Sequence, residues 1–314
     1  MLVTPILISA ILNLHNVAKI PSQEKSLAEF PTAIAQNNPN DPQTLVDRGN
    51  QYIEQHEYEK ALADFNRALE LDPQSVQAYS GRGAAYIKLK QAEQAIADCN
   101  RAIELDPKSA EAYTVRGKAY IVLEQDDKAI SDCNRALEFD PQSAPAYACR
   151  GVAYARRSNS AYILAVRSGS ADARLPQHET AIADLNRAIE LDPQYADAYN
   201  LRGLIYEFLQ QPEKAIADLN RAIELDPKRA NAYYNRGSAY AGLQQYEKAI
   251  SDYIEAIVID SEYADAYYSR AKAYEQLGNK QKAFEDYQHA AELYQKQGNT
   301  ERYQNTLNRI QNLQ

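Results

Sequence analysis

The chain has 314 residues, 45% of them hydrophobic, with no Trp, 24 Tyr and a formal net charge of −9. That acidity excludes a general nucleic-acid or anionic-membrane surface. The three cysteines, Cys99, Cys133 and Cys149, show no CxxC spacing, and His15, His56, His178 and His289 are scattered, so no metal-ligand pattern exists.

Residues 2–14, LVTPILISAILNL, form an apolar run of thirteen. A membrane-spanning helix needs about 20 residues, so this run suits a secretory leader better than an anchor. Ala33-Ile34-Ala35 before Gln36 reads as a small-x-small cleavage site, and Ser26-Leu27-Ala28 is nearer but less typical. No Lys or Arg precedes the run and the gap to Ala35 is long. Residues 1–35 are therefore read either as a signal peptide, which makes the protein exported or periplasmic, or as an uncleaved leader or misassigned start on a cytoplasmic chain. Residues 36–41, QNNPND, are a polar linker rich in turn formers.

A repeat occupies most of the remainder. AIADLNRAIELDP at Ala181–Pro193 recurs at Ala215–Pro227, and as AIADCNRAIELDP at Ala95–Pro107. A second phrase of the type AYxxRGxAY precedes each copy. Gly49, Gly83, Gly117 and Gly151 are 34 residues apart; Gly203 follows after 52, Gly237 after 34, and Ala271 takes the glycine's place 34 later. Seven units thus fill residues 42–297, and the fourth, 144–195, carries an 18-residue insertion.

Each unit predicts two helices. In the second, Tyr79, Gly83 and Tyr86 lie at i, i+4 and i+7 on one face, and Ala95, Cys99 and Ala102 repeat that spacing. The small residues allow close helix approach and the tyrosines fill the space around them. Asp106-Pro107 ends the second helix, while Ser75, Ser109 and Ser143 stand where they can cap the next first helix. Cys99 and Cys133 take the place of Phe65 and are expected as buried small apolar residues rather than as ligands or a disulfide.

This pattern resembles the tetratricopeptide repeat family, whose period is 34 residues. The second unit carries it as Tyr79, Gly83, Tyr86, Ala95, Cys99, Ala102 and Pro107; the fifth as Tyr199, Gly203, Tyr206, Ala215, Leu219, Ala222 and Pro227. Tyr replaces the family Trp, with Leu45 in the first unit, and Arg stands where the family prefers Leu. Ser261 and Gln295 replace the terminal Pro in the last two units. The resemblance implies an all-α fold: a right-handed superhelical solenoid of seven helix-turn-helix repeats, with first helices lining a concave groove. It is completed by a C-terminal solvating helix at 298–314, where Tyr303, Leu307 and Ile310 are expected inward and Glu301, Arg302, Asn305 and Asn308 outward.

Charges recur with the repeat. An Arg precedes every glycine position, from Arg48 to Arg270, and an Asp follows the leading Ala of every second helix by three, from Asp64 to Asp286. A cross-helix Arg–Asp pair in each unit is the economical reading. Arg67, Arg101, Arg135, Arg187 and Arg221 each stand three before a Glu, as in solvated helix-surface pairs.

No catalytic residue, cofactor site or metal site emerges, and the chain is read as a non-enzymatic scaffold for protein–protein interaction. Its expected partner is a protein or peptide segment in the groove. Nucleic acid and small-molecule substrates are not expected, nor is membrane contact beyond the leader. The alternatives are a substrate-selecting regulatory subunit of a separate transferase, and an envelope or periplasmic assembly factor. The exposed side of each first helix is placed three and two before the glycine and one, four and five after it. It gives Val115, Lys118, Ile121, Val122, Cys149, Val152, Leu201, Leu204 and Phe208, then Asn200, Tyr234, Asn235, Tyr268 and Lys272. The family's carboxylate clamp is set aside, because Val46 with Asn50, then Gly81, then Glu111 with Val115 lack its residues. The insertion, within 157–179, bears Arg157, Arg167 and Arg174 beside an apolar run at 162–166 that either lengthens the first helix or makes a short docking element.

Overall fold

The computed structural model describes residues 41–167 and 177–313, and every regular element within them is an α-helix. The leader and its cleavage sites lie outside the described residues.

The helices fall into two compact units. Within Ser22–Pro193 they are α1 (Pro42–Glu54), α2 (Tyr58–Leu71), α3 (Val76–Lys88), α4 (Ala92–Leu105), α5 (Ala110–Val122), α6 (Asp126–Phe139), α7 (Ala144–Arg167) and α8 (Gln177–Leu191). Within Gln194–Gln314 they are α9 (Ala196–Phe208), α10 (Pro212–Leu225), α11 (Ala230–Gly242), α12 (Tyr246–Ile259), α13 (Ala264–Gln276), α14 (Lys280–Lys296) and α15 (Thr300–Leu313). Each odd-numbered helix up to α13 packs on the even one that follows, and α15 packs on α14. Seven helix pairs and a terminal helix are thus the expected all-α repeat array.

Local chemistry sets the boundaries. Ser75, Ser109 and Ser143 accept hydrogen bonds from the backbone N–H of Ala78, Ala112 and Ala146 at 3.2, 3.3 and 3.3 Å, supplying the expected caps of α3, α5 and α7. Asp72, Asp106 and Asp140 leave the helical region at the ends of α2, α4 and α6, one residue before a proline. Between the helices of a pair, one residue adopts a left-handed conformation: Lys90 (φ 62°), Glu124 (φ 59°) and Gln244 (φ 60°) do so with a side chain, whereas the last pair uses Gly278 (φ 75°).

Small residues on first helices meet large ones on second helices. A Cβ placed on Gly237 would lie 2.8 Å from Tyr253 Cε1 and 3.2 Å from the Ala249 carbonyl oxygen. Phe65, Cys99, Cys133, Leu185, Leu219, Tyr253 and Tyr287 fill this position in successive pairs and are all buried. The cysteine expectation needs correcting here. Cys133 on α6 and Cys149 on α7 form a disulfide across a Cα separation of 6.2 Å, while Cys99 is free and buried. Sixteen residues separate a second helix from the same level of the next first helix, which brings these two together.

The insertion lengthens α7 to 24 residues, against 13 in α5. Arg157 is tied to Asp127 at 2.8 Å and to Gln177 at 3.1 Å. Its neighbour Arg156 is only 5% exposed and holds Asp126 at 3.0 Å. Both brace α7 against α6, and Arg157 also reaches α8. Arg167 lies on the helix, but its side chain is outside the described residues, as is Arg174 altogether. His178 is buried with its Nδ1 2.9 Å from Ser158 Oγ, a link between α7 and α8 that sequence spacing does not disclose.

At the C-terminus, Tyr303 and Ile310 pack inward as expected, but Arg302 does not point outward. It pairs with the buried carboxylate of Asp265 on α13 and donates to Tyr294 Oη at 3.2 Å. Removing Asp265 from water requires a counter-charge, and Arg302 supplies it.

Candidate functional site

All seven Arg–Asp pairs form as bidentate contacts between the helices of a pair. Arg116 Nε and Nη2, for example, reach Asp132 at 2.7 and 2.8 Å. Each arginine from Arg82 to Arg270 also lies over the tyrosine three residues before it, at 5.3–5.7 Å from guanidinium carbon to ring centre. The remaining nitrogen reaches back one pair: Arg82, Arg116, Arg150 and Arg236 donate to Asn66, Asn100, Asn134 and Asn220 at 2.7–2.8 Å. The arginine row is fully engaged in structure. The Arg67–Glu70 type of pair forms as well, on the exposed face of the second helices.

The predicted groove positions divide into two sets. Val115, Ile121, Cys149, Val152, Asn200, Leu204, Tyr234 and Asn235 are buried, which corrects their placement on an exposed side. For the positions before the glycine, the contacts run between successive first helices. The residue three before a glycine meets the residue two before the next, 35 later: Asn235 Nδ2 donates to Asn200 Oδ1 at 3.2 Å, and Ser269 Oγ lies 3.5 Å from Tyr234 Oη. Lys118, Val122, Leu201, Phe208, Tyr268 and Lys272 are half-buried.

Some residues one, four and five after the glycine, though not the buried Leu204, line a cavity of about 430 Å³ in the unit 194–314. Its walls come from first helices α9, α11 and α13, through Glu207, Ser238, Ala241, Gly242, Lys272 and Gln276, and its floor reaches Tyr253 on α12. That volume lies in the usual range of ligand sites, about 300–1,000 Å³. Ser238 Oγ is 3.5 Å from Tyr253 Oη. Glu207 is only 9% exposed, and its burial pushes the carboxyl up to about 8. Lys272 is lowered, first by burial and then by Arg309. The spacing rule contains Glu207 and Ser238, but a search for apolar groove residues passes over them.

The site has no catalytic constellation of the kind a nucleophile, base and orienting group would make. Among the described residues no group of His, Cys, Asp and Glu could hold a metal ion, and no helix is long and apolar enough to cross a membrane. What the cavity offers is shape, hydroxyl groups, one acid and one amine.

Models of the TPR repeat match residues 49–90, 169–209, 208–244 and 242–278, and models of the tetratricopeptide repeat match 76–109, 110–143 and 264–308. The chain belongs to the tetratricopeptide repeat family. Members are generally protein-interaction scaffolds without catalysis of their own, and no enzymatic domain is identified in this one. Solved bacterial repeat proteins are similar in fold. One from Parabacteroides merdae aligns at 18% identity and a TM-score of 0.55, covering 85% of this chain and 98% of its own. The TTC0263 protein of Thermus thermophilus aligns at 21% identity and a TM-score of 0.54, covering 63% and 98%. PilF of Pseudomonas aeruginosa aligns at 17% identity and a TM-score of 0.55, covering 74% and 97%. No curated protein matches the sequence.

Proposed function

We propose that this tetratricopeptide repeat protein is a scaffold that holds a peptide or extended protein segment along the first helices α9, α11 and α13. The observation that carries this reading is the cavity itself, whose walls are positions that differ from unit to unit while the Arg, Asp, Gly and Ala framework repeats. A framework needs only those repeated residues, so a roomy cavity lined by the variable ones calls for a ligand. Leu201, Phe208 and Tyr268, half-buried on the same first helices, are the apolar flanks of the proposed site, and a buried centre with a polar rim suits peptide recognition.

Gly242 provides the test. It lines the cavity, and a Cβ there meets nothing within 4 Å. Gly242→Leu therefore starts from an unobstructed Cβ and takes up ligand space, and it replaces a poor helix former by a good one. Peptides selected from a random library on the native protein are expected to bind this variant at least ~10-fold more weakly, the scale of losing one buried interface anchor. Its melting temperature should be unchanged or raised. Undiminished binding to the filled cavity would overturn the assignment.

A further inference from the structure

Glu207 projects from α9 into this cavity, nine-tenths buried, and no described residue bonds or ion-pairs with its carboxyl. Burial without a partner is costly for a carboxylate, because transfer from water is repaid only by a counter-charge or by hydrogen bonds. The other buried acids of this unit have such a repayment: Asp218, Asp252 and Asp286 hold arginines, Asp265 holds Arg302, and Asp260 accepts from the Glu262 N–H at 2.9 Å. Glu207 alone among these turns toward open space large enough for a ligand.

The wall opposite is cationic. Lys272 on α13 lines the same cavity, and the charges that act on it are Arg309 and Glu275 rather than Glu207. The cavity thus holds an acid and an amine that do not neutralise each other. Ala239, Ala241 and Ala273 also line the cavity and give it apolar surface.

Resting on the groove reading above, we propose that the cavity accepts one basic side chain of the bound segment, its cation seated on Glu207, while Lys272 excludes a second positive charge beside it. The occupant is a protein or peptide segment with an isolated Lys or Arg. A lysine meets the site with its ammonium at the acid and its methylenes along the alanines. A run of basic residues is disfavoured, because its second cation falls against Lys272 in a region of low dielectric.

The test uses capped pentapeptides at pH 8.5, followed by NMR titration of the full chain. The probe Ac-Ala-Ala-Lys-Ala-Ala-NH2 is compared with its norleucine counterpart, which keeps the alkyl chain and lacks the ammonium, and with Ac-Ala-Lys-Lys-Ala-Ala-NH2. The lysine peptide is expected to bind at least ~10-fold tighter than the norleucine peptide, as a charge-assisted contact to a buried acid requires. Glu207→Gln should erase that difference, and Lys272→Met should tighten both lysine peptides, the double-lysine one more. Opposite signs from two walls of one cavity are not expected of a merely structural role, and circular dichroism establishes that both variants are folded. Equal binding of lysine and norleucine peptides, or a preference that survives Glu207→Gln, overturns the proposal. A random-library panel keeps the two readings apart. Binders that lack a basic residue and ignore Glu207→Gln, but are lost with Gly242→Leu, overturn this proposal and leave the groove reading standing. An absence of any binder overturns both.

Discussion

Arg116 Nη1 donates to Asn100 Oδ1 at 2.7 Å, and this contact joins two consecutive repeats. The same guanidinium holds Asp132 within its own repeat through two further bonds, and the Tyr113 ring covers it at 5.3 Å. One side chain thus ties α4, α5 and α6 together. In a solenoid, stability is the sum of repeat terms and neighbour interfaces, so this arginine enters both.

The double-mutant cycle between these residues has a definite expectation. Arg116→Ala leaves Asp132, a buried carboxylate, without its counter-charge and should cost about 1–3 kcal/mol. Asn100→Ala removes one charged hydrogen bond and should cost about 1 kcal/mol. Because both act on one contact, the double variant should lose less than the sum. Chemical denaturation of the four proteins measures this, and strict additivity would show that the inter-repeat bond contributes nothing.

The glycine–tyrosine contact is as specific. Gly237→Ala places a methyl 2.8 Å from Tyr253 Cε1 and 3.2 Å from the Ala249 carbonyl, inside a fully buried interface. Helix propensity favours the alanine by about 1 kcal/mol, whereas overpacking costs about 1–3 kcal/mol. A net loss of stability is expected. Gly242→Ala, where the same methyl meets nothing, should instead stabilise. A melting-temperature comparison decides, and equal shifts for the two glycines would contradict the packing account.

Glu207 makes stability depend on pH. Its carboxyl is raised by burial from 4.5 to about 8, so the folded chain binds this proton more tightly than the unfolded chain. The stabilisation is fully present below about 4.5, declines as pH rises toward 8, and is constant beyond. Each pH unit in that window corresponds to about 1.4 kcal/mol at most. The groups facing Glu207 are the Tyr234 and Tyr253 hydroxyls, both raised, and Lys272 across the cavity. They are shared by wild type and Glu207→Gln, so the difference between the two isolates Glu207. The variant should match wild type near pH 5 and exceed it at pH 8. A constant difference across that range would place the carboxyl in water.

Much of this molecule is legible without coordinates because a 34-residue period repeats its constraints. The glycine register, the serine caps, the prolines after each second helix and the Arg–Asp pairs are each local or recur at fixed spacing, and spacing on a helix determines face. Asn66, Asn100, Asn134 and Asn220 were open to the same reading, each standing 16 residues before an arginine of the row. Their role depends on which second helix lies beside which first helix, a relation between repeats rather than within one. The Cys133–Cys149 pair has the same 16-residue origin.

What only the tertiary structure decided is which half of the exposed-looking face is in fact exposed. Helical spacing puts Tyr234, Asn235 and Ser238 on one side of α11, yet neighbouring first helices cover Tyr234 and Asn235 and leave Ser238 at the cavity. The packing of α11 against its neighbours sets that division, and no single helix carries the information. Nor does spacing tell Arg302, drawn in by Asp265, from an outward arginine. It is equally silent on Glu207, an ordinary helix-surface residue by sequence that is a buried acid in the packed repeats. Periodicity determines faces; the packing of helices against one another determines burial, and burial gives a charge its chemistry.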